Sequence, residues 1–271
     1  MSETKKRIWS TAWRSIVVLA VFVVVTQEPA SWPAGAAATQ VWVVTTGTVR
    51  TLTYGAPRIS ARLFGSSEAI VLGFDSRHPK ALSWANEATY EMWIRKGLIP
   101  KSVTTVMYDP ENWPSTPPDE RRDPFGAMRA FSTSARAHGY RVVLTPSPSL
   151  VTVPAGACAV GPDESIESAY VRCDIAGQAA MLADVVETQA QNLETDPFAY
   201  RSFVAATAEQ ARAANPNVLV VSGLSTNFTE SPVVLYSAWR SVRDLVDGHY
   251  LAIPQGIRPE VAVAFLRLLP R

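Results

Sequence analysis

Cysteine, histidine and phosphate-binding glycine loops are all scarce in this chain of 271 residues, and each shortage removes a class of function. Two cysteines and three widely spaced histidines (His78, His138, His249) give no metal-ligand spacing, so no zinc or other metal centre is expected. No G-x-G-x-x-G or G-x-x-x-x-G-K follows any apolar strand, which argues against a nucleotide cofactor; no cofactor of any kind is expected. Charge of one sign is missing too: 25 basic residues face 24 acidic ones, for a net +1. There is no basic stripe with interleaved aromatics, so a nucleic-acid partner is not expected. Long hydrophobic runs are limited to Ser15–Val25.

That run reads as the core of an export signal. Lys5, Lys6, Arg7 and Arg14 make a basic front, and Ala36, Ala37 and Ala38 offer a small-residue cleavage site. The run is short for a bilayer span, and the absence of a twin arginine points to general export. Residues 1–38 are therefore assigned to the signal and 39–271 to one domain. An uncleaved amino-terminal anchor, the one expected membrane contact, is the alternative. Removing four basic and two acidic residues (Glu3, Glu28) with the signal turns the net charge slightly negative. In an exported protein an even cysteine count favours a disulfide, here Cys158–Cys173. The sequence sets no oligomeric state.

From residue 40 onward, apolar β-branched runs alternate with helical stretches. Gln40–Thr46, Ala69–Phe74, Val103–Asp109, Tyr140–Thr145, Val218–Ser222 and Asp247–Ile253 read as strands. Pro79–Lys96, Thr116–His138 with a break near Pro124, Ile175–Ala183, Phe198–Ala214, Ser231–Val246 and Pro259–Leu269 read as helices, and Thr116 reads as a cap. Ser149–Asp174 reads as a long loop holding both cysteines. Asp184–Gln191 has helical composition but stands where a strand is due; if extended, Glu187, Gln189 and Gln191 face one way and Val186, Thr188 and Ala190 the other. Alternation without hairpin signals implies a parallel sheet with right-handed crossovers. The expected fold is an α/β parallel (β/α) barrel, TIM-like, with an eighth unit in doubt.

The organising stretch is Val103–Pro118. Thr105, Met107, Asp109 and Glu111 share one side of an extended segment that Pro110 should end, and Trp113 follows closely. In α/β folds ligands gather at that carboxyl end of the strands. The same pattern also suits a helix N-terminus, where the dipole favours acids. On the barrel reading Asp75, Gln189, Gln191, Ser225, Asn227 and Tyr250 join Asp109, Glu111 and Trp113 at one rim. Carboxylates for proton transfer, amides for hydroxyls and an aromatic face for a pyranose make the inventory of a sugar site. Mutual hydrogen bonding of Gln189 and Gln191 inside the lumen is the alternative. His249, with no partner visible, reads as structural, and Ser222 lacks the G-x-S-x-G context of a serine hydrolase.

Tyr108-Asp-Pro-Glu-Asn-Trp-Pro-Ser-Thr-Pro117, Val185-Val-Glu-Thr-Gln-Ala-Gln191, Ala214-Asn-Pro216, Gly223-Leu-Ser-Thr226 and Asp247-Gly248 through Ile253-Pro254 resemble blocks in a group of secreted actinobacterial proteins of unassigned activity. That group is itself similar to (β/α)-barrel glycoside hydrolases, and the likeness runs from about Ala69 to the end. Asp109-x-Glu111 also resembles the end of the family 18 chitinase signature, where the Glu protonates and the Asp assists; Met107 and Thr104 stand where that signature has further acids. The resemblance implies a secreted carbohydrate-active hydrolase, though it brings no catalytic assignment of its own. From the residues and the chitinase-like pair, Glu111 is expected as general acid, Asp109 as its modulator and Glu187, across the barrel, as the candidate second carboxylate. The alternative is a non-catalytic envelope or carbohydrate-binding protein on a degenerate barrel.

Overall fold

In the computed structural model, residues 40–73, 80–154 and 158–270 are described. Residues 1–38, expected to be an export signal, and Asp75 lie outside them. Eight strands close into an all-parallel barrel in sequence order. They are β1 (Val41–Thr45), β2 (Ile70–Leu72), β3 (Ala81–Trp84), β4 (Thr105–Tyr108), β5 (Arg141–Leu144), β6 (Val185–Thr188), β7 (Leu219–Ser225) and β8 (Gly248–Ala252). Closure is by β8 against β1, with Val41 opposite Gly248 and Val44 opposite Leu251. The outer layer holds α1 (Thr46–Gly55), α2 (Pro57–Phe64), α3 (Glu87–Arg95), α4 (Pro118–Arg122), α5 (Pro124–Ala137), α6 (Ile166–Arg172), α7 (Ile175–Ala180), α8 (Pro197–Ala214), α9 (Pro232–Val242) and α10 (Pro259–Leu268). The structure is thus a TIM barrel with all eight strands present.

The doubtful eighth unit is β3, which the sequence hid inside an expected helix from Pro79. Leu82 and Trp84 do pack outward among the helices, but as alternate residues of a strand. The helix starts later, where the Asn86 side chain accepts from the Thr89 amide at 2.7 Å. Thr116 is not a cap. Its hydroxyl donates to the Ala85 carbonyl at 2.9 Å, and α4 begins at Pro118 without a side-chain cap. The expected break near Pro124 is real: Asp123 ends α4 and caps α5 by accepting from Gly126 N at 2.9 Å. The expected long loop is largely ordered, with a 3-10 turn at Pro148–Thr152 and then α6, capped by Ser165.

Strand alternation sorts the core into two compartments. Trp42, Val44, Leu82, Trp84, Val106, Tyr108, Val142, Leu144, Val186, Val220, Leu224 and Leu251 pack against the helices in one continuous cluster. Their neighbours, among them Val43, Ala81, Met107, Val143, Val185 and Val221, are buried but outside that cluster, and fill the lumen. At β4 the outer side carries Tyr108, whose phenol donates to Glu120 Oε2 at 2.7 Å and stacks on Phe131 of α5 with centroids 5.2 Å apart. Glu120 also accepts from the Glu87 and Ala88 amides at 2.9 and 3.3 Å, so one buried carboxylate ties β4 to the start of α3. Ser222 Oγ and His249 Nδ1 lie 2.8 Å apart on the same outer side, with the imidazole beside Trp42 and Trp239. His249 is structural in this packing, as its lack of a partner at the rim implied.

Candidate active site

The carboxyl ends of β4, β6, β7 and β8 surround a cavity of about 510 Å³, a size usual for small-ligand sites. β4 and the segment after it supply Met107, Asp109, Glu111 and Trp113; β6 and its turn supply Glu187, Gln189, Gln191 and Asn192. β7 contributes Ser225, with Asn227 and Phe228 behind it, and β8 contributes Tyr250 and Ala252. Every rim residue singled out in the sequence lines this one cavity except Asp75, which falls outside the described residues. The sequence reading missed Ser147, Pro148, Ser149, Ile166, Asn192, Phe228 and Pro254. Asn192 and Phe228 adjoin residues already chosen, and chain proximity was a usable signal for them. Ile166 comes from α6, which had been read as loop.

Parallel register explains how the polar groups meet. Tyr108 pairs with Leu144, so the next residues, Asp109 and Thr145, stand side by side. The Thr145 hydroxyl donates to Asp109 Oδ1 at 2.7 Å, and Gln189 Nε2 donates to the same oxygen at 2.8 Å. Gln189 Nε2 also reaches the Thr145 carbonyl at 2.7 Å, spanning β4, β5 and β6. Gln191 Nε2 donates to Glu187 Oε1 at 3.1 Å. The two glutamines therefore do not satisfy one another; each serves a carboxylate. The extended reading of Asp184–Gln191 holds for β6, since Val186 and Ala190 enter the outer cluster and the Thr188 hydroxyl meets that of Thr207 at 2.9 Å.

The segment carrying Glu111 is strapped down from several sides. Its amide donates to Thr116 Oγ1 at 3.4 Å, and Pro110 O accepts from Ser147 N at 3.0 Å. Asn112 accepts from Arg121 at 3.0 Å and donates to Thr152 Oγ1 at 2.8 Å. The neighbouring loop after β5 is tied by the Cys158–Cys173 disulfide, whose Cα atoms are 6.0 Å apart and which joins the loop to the end of α6. Tyr170 of α6 donates to the Pro146 carbonyl at 3.2 Å. Behind β7, the wholly buried Glu194 accepts from Ser225 N at 2.6 Å, linking the turn after β6 to the end of β7.

Three carboxyl groups in one partly dry cavity cannot all ionise easily. Burial pushes Asp109 up to about 6, against the opposing pull of the Thr145 and Gln189 hydrogen bonds. Burial and then the Asp109 charge push Glu111 up to about 7, with Gln189 opposing. Glu187, only 2% exposed, is raised well above the usual carboxylate range by burial, then by Asp109 and Glu111. Tyr250 is raised by burial and by the same three acids, so its phenol stays protonated. Burial and mutual repulsion thus favour protons on Glu187 and Glu111 over Asp109, whose charge the Thr145 and Gln189 donors support. Environments that set neighbouring carboxyls apart in this way are those that divide acid and base roles in enzymes. Among the described residues no cluster of His, Cys, Asp and Glu is arranged to hold a metal.

Fold and cavity together define a (β/α)-barrel protein with an acid-lined carboxyl rim. No protein-family model matches the chain, and no curated protein matches it. Solved structures similar in fold include a hydroxymethylglutaryl-CoA lyase from Pseudomonas aeruginosa, at 13% identity and TM-score 0.44 over 80% of this chain and 77% of that one. A triosephosphate isomerase from Bartonella henselae aligns at 9% identity and TM-score 0.41, over 84% of this chain and 98% of that one. An α-L-fucosidase from Lactobacillus casei aligns at 9% identity and TM-score 0.29, over 84% and 94%.

Proposed function

We propose that the protein is an exported carbohydrate-active hydrolase, glycosidase-like, working at the carboxyl rim of the barrel. The observation that carries this reading is the gathering of three carboxyls in one rim cavity with different surroundings: Asp109 held by Thr145 and Gln189, Glu187 by Gln191, and Glu111 raised by burial and the Asp109 charge. Glu111, the acid nearest its midpoint, gives its proton to the leaving glycosidic oxygen. Asp109, its charge held by Thr145 and Gln189, stabilises the oxocarbenium-like centre or activates the attacking group. Glu187, buried and accepting from Gln191, is the second carboxylate. Trp113 and Phe228, 41% and 48% exposed at the cavity, offer faces for sugar rings. Export is supported by the basic, apolar and small-residue order of the first 38 residues and by the disulfide. The sequence resemblance to secreted actinobacterial barrel proteins points the same way. Among the described residues no helix is long and apolar enough to cross a membrane.

A glycan hydrolysis screen beside Glu111→Gln tests the reading. The change removes the titratable proton at nearly constant shape, and turnover should drop by roughly 10²–10⁴-fold. The wild-type kcat/KM should be bell-shaped, with limbs near the Asp109 and Glu111 values of about 6 and about 7, belonging to the pair as a unit. Undiminished hydrolysis in the variant removes Glu111 as the acid. A non-catalytic carbohydrate-binding role is the second reading, favoured by the near-complete burial of Glu187; sugar binding without turnover in the wild type would establish it.

A further inference from the structure

All eight strands run the same way, so every helix-to-strand connection lies at their amino end, away from the acid-lined cavity. The connection from α3 to β4 reads Arg95-Lys-Gly-Leu-Ile-Pro-Lys101, and Arg95, Lys96, Leu98 and Lys101 are all exposed. Lys80, exposed ahead of β3, lies alongside its end: Ala81 pairs with Thr105, and the Lys80 carbonyl accepts from the Thr104 and Thr105 amides at 2.9 and 3.1 Å. A tight turn at Gly97 (φ 63°), closed by the Leu98 amide donating to the Trp93 carbonyl at 3.0 Å, leaves Leu98 48% exposed within this run of cations. The α3 dipole accounts for Arg95 and Lys96. It does not account for Lys80, Lys101 or the leucine. Of the acids at this end, Asp184, Asp244 and Asp247 are engaged by Arg136, Arg201 and Arg212, and Glu68 precedes β2. Two further exposed apolar side chains belong to the same end, Met181 after α7 and Leu268 beside Arg267 at the close of α10.

We propose that the amino end of the barrel docks on a membrane surface rich in anionic phospholipid, with the turn at residues 95–101 as its tip. Lys80, Arg95, Lys96 and Lys101 meet the head-group phosphates, and Leu98 enters the apolar boundary between them. Exposed leucine and methionine beside the cations favour a lipid surface over a single-stranded nucleic acid, which calls for aromatic faces to stack on bases. The chain enters the barrel at this same end, through Gln40 ahead of β1, so any upstream segment held in a bilayer joins it on the docking side. The net charge of +1 for the whole chain conceals this local concentration of positive charge. Docked this way, the cavity opens away from the lipid. The docking surface is distinct from the cavity and stands whether or not the cavity is hydrolytic.

Residues 39–271 hold all eight strands and the closure of β8 on β1, so this chain, without the apolar run, is the one to test. Co-sedimentation with vesicles of phosphatidylcholine, alone or mixed with phosphatidylglycerol, measures the docking. Binding should require phosphatidylglycerol and weaken with added salt. Each basic residue near an anionic surface strengthens binding roughly fivefold, so Lys96→Glu with Lys101→Glu should weaken it by at least about 25-fold. Leu98→Ser should weaken it by roughly threefold or more. Arg122→Glu, exposed on α4 at the other end, should leave it unchanged. Equal binding to the two kinds of vesicle, binding to neither, or undiminished binding by the double variant overturns the proposal. So does tighter binding to soluble poly(glycerol phosphate) that Leu98→Ser leaves intact, since the surface would then serve a polymer. Circular dichroism checks that each variant folds. Should the double variant not fold, Lys101→Glu alone should still cost about fivefold, and no loss there overturns the proposal.

Discussion

Gly223 faces the lumen from β7, and replacing it with alanine tests the packing behind Glu187 directly. Gly223 is not among the residues with positive φ, so its backbone accepts an ordinary side chain. On backbone grounds alone, Gly223→Ala should stabilise by about 0.4–1 kcal/mol, by restricting the unfolded chain. The cavity predicts the opposite sign. A Cβ there would lie 2.6 Å from Glu187 Oε1 and closer still to Gln191 Nε2. The amide and carboxyl would have to part, breaking their 3.1 Å bond. Overpacking of this kind costs roughly 1–3 kcal/mol, and the lost hydrogen bond about 0.5–1.5 more. The net expectation is a loss of about 1–3 kcal/mol, or roughly 2–4 °C in Tm for each kcal/mol in a domain of this size. Urea denaturation with the disulfide intact measures it. Adding Gln191→Ala should recover part of the loss, with a coupling of about 0.5–3 kcal/mol. A Gly223→Ala protein as stable as the wild type, or no relief from the second change, would refute this account of the Glu187 pocket.

Other outcomes follow from the same structure. Reducing Cys158–Cys173, or replacing both with serine, should cost roughly 3 kcal/mol for a separation of 15 residues and speed proteolysis near α6; unchanged denaturation midpoints would contradict this. Two buried groups outside the cavity should make opposite contributions to the pH dependence of stability. Burial lowers His249 from 6.5 to about 3, so the unfolded chain takes up its proton first, and stability is lost as pH falls below about 6.5. Burial raises Glu194 from 4.5 to about 9, against the Ser225 amide, so its contribution is complete below 4.5 and lost as pH rises towards 9. Compared with the wild type, denaturation midpoints of His249→Asn should fall less, or rise more, as pH drops from about 6.5 to 3. Those of Glu194→Gln should fall less as pH rises from 4.5 towards 9, on a background in which Asp109, Glu111 and Glu187 add to the loss with rising pH.

Much of this architecture is legible in the residues because parallel strands write themselves as β-branched runs. The three-residue β2 was still caught by Ala69–Phe74. β3 was not, since Ala81–Trp84 is short, carries no β-branched residue and places Leu82 at a spacing that also fits a helix. Asp109, Glu111 and Glu187 could be chosen because each stands at or just past the end of an apolar run. Thr145 and Glu194 could not, since their roles depend on which strand lies alongside and which turn folds back. Those are facts of register and tertiary path, which a single sequence does not state. Thr116 looked like a cap because threonine before proline and acids usually is one. Here its hydroxyl was recruited by a carbonyl thirty-one residues earlier.

Tyr108 and Asp109 are consecutive and point to opposite sides of the barrel wall. A slip of one residue in β4 would push the carboxylate among Phe131 and its neighbours and turn the phenol into the cavity. Such a strand would forfeit the Tyr108–Glu120 bond, and with it the carboxylate's hold on the first amides of α3. The misaligned chain would thus be penalised on its apolar side as well as in the cavity. One register serves both faces of β4, so the packing that fixes Tyr108 also fixes Asp109.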